Sequence, residues 1–325
     1  MYLLLNFLLL LISILSLIYI KKLPSSLIIF DQPDQTRKLH SIPVPLFGGI
    51  IFFIFVILNT LFFYNEINFS LKIILIFLYL FFFSLGFIDD RFSLSPAKKT
   101  FLILIFLSLT LPLNEKLIIN LLVFKDIELI INLNQANIFF TIFSIYFFYN
   151  IINFSDGANG ITVSLSIFWL IIFVFFGSIN KFYLYALIAP LVLILIFNLK
   201  GKIFIGNSGS NLIAIVLAYL FIYNYNMDQS IRVDEIFLLM FLPAVDSLRV
   251  IIERVINGKS PLQPDMTHLH HLLLKKFSKK IVFLPYLIFA ALPFMLSIYF
   301  NTITISVICL IIYFIVYFIL NKKII

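Results

Sequence analysis

Charge is scarce in this chain: 12% of its 325 residues are Asp, Glu, Lys or Arg, against about 25% in an ordinary soluble domain. That shortage, beside 62% hydrophobic residues and 41 Phe, excludes a soluble globular fold and calls for helices whose outer faces meet lipid. Cysteine is nearly absent. Cys309 stands alone inside the last apolar run, so no intramolecular disulfide can form. The first twenty residues lack a charged leading segment and a small-residue cleavage site, and Lys21 and Lys22 follow them. They read as a retained first span rather than a signal peptide. The net charge of +8 does not point to nucleic acid, because the basic residues gather at the ends of apolar runs rather than on one basic face, as membrane orientation requires.

What is present is a series of apolar runs. A helix needs about 20 apolar residues to cross a hydrocarbon core of about 30 Å. Such runs lie near 2–20, 45–63, 72–88, 100–113, 138–152, 161–178, 182–198, 211–225, 235–252, 282–299 and 302–320. The connection 114–137, with short apolar stretches around Lys125-Asp126, reads as a small hairpin outside the membrane. With eleven spans, 18 of the Lys and Arg residues fall on one side; only Lys72, Lys116, Lys125, Lys181 and Arg232 fall on the other. The expected architecture is therefore an all-α integral membrane protein, one polytopic domain over 1–325. Its N-terminus is outside, its C-terminus is cytoplasmic, and the hairpin is extracytoplasmic. No charge is expected in the middle of a span. This argues against a transporter or lipid flippase, whose sites hold buried mid-span charges or paired broken helices.

Every chemically capable polar run falls on the cytoplasmic side of this topology. Asp89-Asp90 closes the third run. One Asp there would merely end a span, but two adjacent carboxylates raise each other's pKa unless a cation or proton-transfer role offsets the charge. Such a pair near phosphate is a common setting for Mg²⁺. Asn150, Asn153, Asp156 and Asn159 recur every third residue, lining one face of a helix end with amides and a carboxylate suited to a uracil edge or sugar hydroxyls; Asp-Gly and Asn-Gly alone would make only a turn. His268, His270 and His271 stand within four residues after Asp265. No cysteine lies near to complete a zinc site, and imidazoles among Lys and Arg suit a diphosphate. Arg37, Lys38 and His40 precede the second run and are placed to meet a lipid phosphate or simply to anchor the chain.

Taken in order, these motifs resemble the polyprenyl-phosphate N-acetylhexosamine-1-phosphate transferases, the superfamily of the phospho-MurNAc-pentapeptide transferases and the WecA-like enzymes. The shared pattern is Asp31-x-Pro33-x-x-Arg37-Lys38-x-His40-x-x-Pro43-x-Pro45-x-x-Gly48-Gly49, Asp89-Asp90, Asn150-x-x-Asn153-x-x-Asp156-Gly157, Phe204-x-Gly206 and His268-x-His270-His271. The spacing from Pro261 to His271 is similar to the WecA-like branch. The resemblance implies transfer of a sugar 1-phosphate from a UDP-N-acetylhexosamine, UDP-N-acetylglucosamine among them, to undecaprenyl phosphate with release of UMP. It implies a cytoplasm-facing site in the bacterial inner membrane, as the first membrane step of a surface polysaccharide such as lipopolysaccharide. Separately, the lipid-facing Phe-rich spans permit a homodimer. The resemblance further implies Mg²⁺, with Mn²⁺ an acceptable substitute. In this reading Asp89 and Asp90 serve as metal ligand and as base or orienter. Lys38 and the three histidines are electrostatic partners of the phosphates. Asp156 and Asn159 face the nucleotide, Asp156 also serving catalysis, and Phe204 stacks on uracil; Asn150, Asn153, Arg37, His40 and Asp265 complete substrate binding. One position departs from the pattern: Asn207 stands where the family's Gly-Asp-x-Gly-Ser has Asp. An Asn carbonyl can still ligate Mg²⁺ but brings no charge, which raises the alternative of a weakened or inactive relative that only binds.

Overall fold

The computed structural model describes residues 2–19, 29–33, 41–62, 67–127, 129–261 and 266–321. Arg37, Lys38, His40 and Asp265 of the expected site lie outside these residues. Thirteen α-helices are formed among the described residues: α1 (Tyr2–Ile18), α2 (Gly48–Phe62), α3 (Phe69–Phe92), α4 (Pro96–Thr110), α5 (Asn137–Ser155), α6 (Ile161–Phe176), α7 (Lys181–Leu199), α8 (Gly206–Asp228), α9 (Val233–Leu239), α10 (Phe241–Ile256), α11 (Leu269–Leu273), α12 (Phe283–Ser297) and α13 (Thr302–Asn321). Six of them, α3, α4, α5, α7, α8 and α13, are long and apolar enough to cross a membrane, and α1, α2, α6 and α12 are shorter apolar helices. The protein is an all-α membrane protein. Two small antiparallel pairs complete it: β1 (Phe30–Asp31) with β2 (Val44–Pro45), and β3 (Leu121–Val123) with β4 (Ile130–Asn132), which forms a hairpin within 114–137.

α8 is the central column, with 94% of its apolar window buried, packed against α2, α3 and α5. Lipid tails are as apolar as Leu, so burial alone does not drive such packing; close backbone approach and interhelical hydrogen bonds do. A Cβ on Gly86 of α3 would stand 2.3 Å from the Asn207 carbonyl oxygen, and one on Gly49 of α2 would stand 2.6 Å from the Gly209 nitrogen. These contacts seat the first turn of α8 directly on α2 and α3, and place Asp90 beside Asn207. Reciprocal amide bonds of 3.0 and 3.1 Å join Asn6 to Asn59, and Thr60 bonds Tyr183 at 3.1 Å; each such pair contributes about 0.6 kcal/mol. Outward faces remain apolar, as at Phe7, Ile308, Ile311, Ile315 and Phe318, a belt that needs lipid rather than water.

Local signals set the helix ends. Asn68 caps α3 through the Leu71 amide, Ser95 caps α4 with Pro96 in its first turn, and Ser93 takes the left-handed conformation (φ 52°) that stops α3. Because Ser95-Pro96 starts α4 before the apolar run at 100, Lys98 and Lys99 lie on the helix and not in a loop. The ninth apolar run, 235–252, divides at Met240 into α9 and α10. Pro243 has no N–H to give the Leu239 carbonyl, and that carbonyl instead accepts the indole N–H of Trp169 at 3.0 Å. The expectation of charge-free runs is corrected here. Asp246 and Arg249 lie inside that run and are buried, at 2% and 6% exposure; they are tolerated because they form an ion pair of 2.9 Å.

The β3–β4 hairpin is fastened at the end of the bundle away from the polar motifs. Lys125 Nζ lies 2.7 Å from Glu235, the Lys125 amide donates to Asp234 at 3.0 Å, and the Thr302 hydroxyl donates to the same Asp234 at 2.6 Å. Asp126 accepts the Thr302 amide, and this bond holds its carboxyl below the usual carboxylate range.

Candidate active site

The C-terminal ends of α5 and α10, the N-terminal ends of α4 and α8, and the segment entering α11 meet around a pocket of about 280 Å³. Asn150, Asn153, Asp156, Asn207, His268 and His271, all expected site residues, line it. Lys99, Thr100, Tyr146, Tyr149 and Arg254 line it as well. The lining thus combines amide and carboxylate oxygens with cations and imidazoles.

Helix geometry explains the α5 wall. Asn150 and Asn153 return their amide N–H groups to the Tyr146 and Tyr149 carbonyls one turn back, at 2.8 and 3.0 Å. The Asn153 carbonyl oxygen accepts the Ser210 hydroxyl at 3.3 Å. The helix ends at Ser155, so the three-residue ladder does not continue to Asn159. That side chain donates instead to the Asn198 carbonyl at 3.2 Å, while Asn198 accepts the Gly160 amide; Asn159 ties the turn to α7 and is not among the pocket's lining residues. Asp156 is accessible from the pocket. Protein bulk around it, with the negative charges of Asp90 and Asp31, pushes its carboxyl up to about 8.

Asp89 and Asp90 stand behind the lining. Asp89 is buried, accepts the Leu94 amide at 2.8 Å and pairs with Lys99 Nζ at 2.9 Å. Both Asp90 oxygens accept backbone amides at the start of α8, Asn207 at 2.8 Å and Ser208 at 3.0 Å. The pair therefore holds one cationic and one amide residue of the pocket, Lys99 and Asn207. Phe204 forms a parallel bridge with Leu46, its amide donating to the Pro45 carbonyl at 3.0 Å, and is likewise not among the lining residues.

The three histidines separate by burial. His268 donates its Nδ1–H to Asp246 at 2.9 Å and lines the pocket. His271 lines it too. His270 is 1% exposed, and both ring nitrogens are without a hydrogen-bond partner among the described residues. Its ring packs on Gly157, where a Cβ would meet Nε2 at 2.1 Å; that burial, with the neighbouring His271 and His268, holds its pKa well below that of a free imidazole. Arg254 stacks over Phe154 with 5.5 Å to the ring centroid and donates to the Pro261 carbonyl at 2.6 Å.

Lys99, Arg254, Asp246 and Arg249 are the residues that sequence reasoning missed. Lys99, Arg249 and Arg254 had been accounted for as topological charges. A signal did exist: Asp246, Arg249 and Glu253 recur at i, i+3 and i+7, one face of a helix, inside an otherwise apolar run. Among the described residues no three His, Cys, Asp or Glu side chains converge as a metal cluster.

Buried polar anchors, a pocket lined by cations and imidazoles and a lipid-facing bundle characterise the site. Glycosyl transferase family 4 matches residues 72–225, which contain Asp89-Asp90, the α5 wall and Asn207. A protein of Escherichia coli K12 described as undecaprenyl-phosphate alpha-N-acetylglucosaminyl 1-phosphate transferase is 26% identical over 286 residues, covering 82% of this chain and 74% of that one. Proteins of the same description from Salmonella typhi and Haemophilus influenzae are 27% and 25% identical, covering 75% and 81% of this chain and 69% and 76% of theirs. Over residues 72–225 the chain is similar to glycosyl transferase family 4, and over most of its length to these 1-phosphate transferases.

Proposed function

We propose that this protein transfers an N-acetylhexosamine 1-phosphate from a UDP-sugar to undecaprenyl phosphate. A lipid phosphate oxygen attacks the sugar-linked phosphorus of the donor, a new P–O bond forms, and the bond to the bridging oxygen breaks so that UMP departs with that oxygen. The observation that carries this reading is the pocket itself: Lys99, Arg254, His268 and His271 line one cavity together with Asn150, Asn153, Asp156 and Asn207. Two anionic substrates gain most from alignment and charge neutralisation. Lys99 and Arg254 would neutralise phosphates, and the α5 amides would meet nucleotide or sugar edges.

Mg²⁺ fits the donor set, since it uses one or two carboxylates and leaves its remaining positions to water and substrate phosphate. Asp156 and Asn207 would hold it in the pocket, with Asp89 and Asp90 supporting from behind. Bound there, the ion would neutralise the diphosphate.

A second, apolar cavity of about 320 Å³ lies between α5, α8, α9 and α10. Phe147, Phe148 and Ile151 line it from α5, and Ala244 and Leu248 from α10, the two helices that also carry Asn150, Phe154 and Arg254 of the polar pocket. Isoprenoid units would lie there, with the lipid phosphate reaching the polar pocket around α5. The Lys and Arg bias supports eleven spans and a cytoplasmic site. The relatives' description as N-acetylglucosaminyl 1-phosphate transferases supports UDP-N-acetylglucosamine as the first donor to test; a role at the start of surface polysaccharide assembly in the inner membrane is what the resemblance of the motifs implies.

Purified protein in lipid nanodiscs, given undecaprenyl phosphate, Mg²⁺ and a panel of UDP-N-acetylhexosamines, should release UMP only when lipid is present and from a preferred donor. Folded protein that binds UDP-sugar but releases no UMP, and gains release on Asn207→Asp, would instead identify a binding relative weakened at that position.

A further inference from the structure

Behind the pocket wall lies a buried assembly centred on Asp246, and the inference drawn from it rests on the transferase reading above. Asp246 Oδ2 is 2.9 Å from His268 Nδ1. Its Oδ1 accepts Arg249 Nη2 at 2.9 Å and the Tyr313 hydroxyl at 2.8 Å, and the Leu269 amide stands 3.1 and 3.2 Å from the two oxygens. Arg249 in turn donates to Tyr313 at 2.7 Å, to Glu253 at 2.8 Å and to the Thr267 carbonyl at 2.8 Å. Three elements, α10, α11 and α13, thereby converge on one carboxylate.

A carboxylate surrounded by donors only accepts, so the proton between Asp246 and His268 resides on Nδ1. That fixes one tautomer and one ring orientation. His268 is 5% exposed, and the ring edge opposite Asp246, which bears Nε2, borders the pocket that Lys99, Asp156 and Arg254 also line. A purely structural staple would need only Asp246, Arg249 and Tyr313. Running it through an imidazole that ends at the pocket wall serves the pocket.

We propose that Asp246 is a positioning residue: it holds His268 with Nδ1–H inward and presents Nε2 to the phosphates of the bound substrates, with Arg249 and Tyr313 locking the carboxylate in place.

The test is ¹⁵N-histidine NMR of the whole protein in nanodiscs, joined to steady-state kinetics. The chain has 4 histidines, so each signal can be assigned from one His variant. Wild type should show the Nδ1–H tautomer for His268. Asp246→Asn should lose that signature and lower kcat on the order of 10–100-fold, with KM for the UDP-sugar within about threefold. Combined with His268→Ala, it should be no worse than His268→Ala alone, since one acts through the other. Should Asp246→Asn fail to fold, Tyr313→Phe, which removes one of the donors, should give a mixed tautomer and a smaller loss in kcat. An Nε2–H tautomer in wild type, or additive losses in the double variant, overturns the proposal. A wild-type protein that transfers no sugar with any donor overturns the transferase reading alone, and the NMR arm still decides whether Asp246 positions His268.

Discussion

Asp90→Asn separates two ways in which a carboxylate can serve this site. Both Asp90 oxygens accept amides at the first turn of α8, at 2.8 and 3.0 Å, where the helix N-terminus carries partial positive charge. An Asn keeps one accepting oxygen and turns an N–H₂ toward the other amide. One charge-assisted bond is lost, worth about 1.5–3 kcal/mol, and the other becomes neutral. The net destabilisation should be about 2–3 kcal/mol, or roughly 5 °C in the unfolding midpoint of a chain this size. Asn207 rides on the displaced turn and lines the pocket, so transfer should also fall, on the order of 10²-fold. Thermal unfolding in detergent at one fixed scan rate, with UMP release on the same preparation, reads both quantities. If the midpoint moves by less than about 1 °C while transfer disappears, the reasoning is refuted: Asp90 would then be meeting substrate or metal directly rather than holding α8.

Two further outcomes follow from the same geometry. Arg254 is 4% exposed, stacked on Phe154 and borders the pocket. Arg254→Lys keeps the charge but not the planar stack, and should weaken UDP binding by about tenfold in calorimetry; unchanged affinity would remove Arg254 from the diphosphate wall. His270 is buried and neutral, its folded pKa well below that of the unfolded chain. The unfolded state therefore binds the extra proton first as pH falls below about 6.5, and folded stability drops with a slope of up to about 1.4 kcal/mol per pH unit. Replacing it by Leu should flatten the melting temperature between pH 7 and 5.5 relative to wild type, and an equal slope in both proteins would exclude His270 as the source.

Much of this was legible along the chain, for identifiable reasons. Hydrophobic runs of span length announce helices because lipid leaves no other backbone partner, and the polar clusters at the ends of the runs stand out against them. The pocket's Asn150, Asn153 and Asp156 were readable because a three-residue spacing keeps one helix face. Asn159 fits the same spacing but stands past the end of α5, and nothing in the spacing reports where a helix stops. Lys99 was obscured by a different ambiguity: a lysine that orients a membrane protein and a lysine that pairs with Asp89 are the same letter in the same place.

By itself the sequence determined the class of protein, the number of apolar runs and the side-chain types at the site, since those depend on composition and periodicity alone. Only the tertiary structure decided which charges are used and how. Asp90 holds the start of α8, Asp246 orients His268, and His270 is sealed against Gly157 because residues more than a hundred positions apart, or on separate helices, are brought within hydrogen-bond distance by backbone packing that no local pattern encodes. That division has a physical cause: lipid selects helices one at a time, whereas close contacts such as Gly86 against Asn207 select which faces of those helices meet.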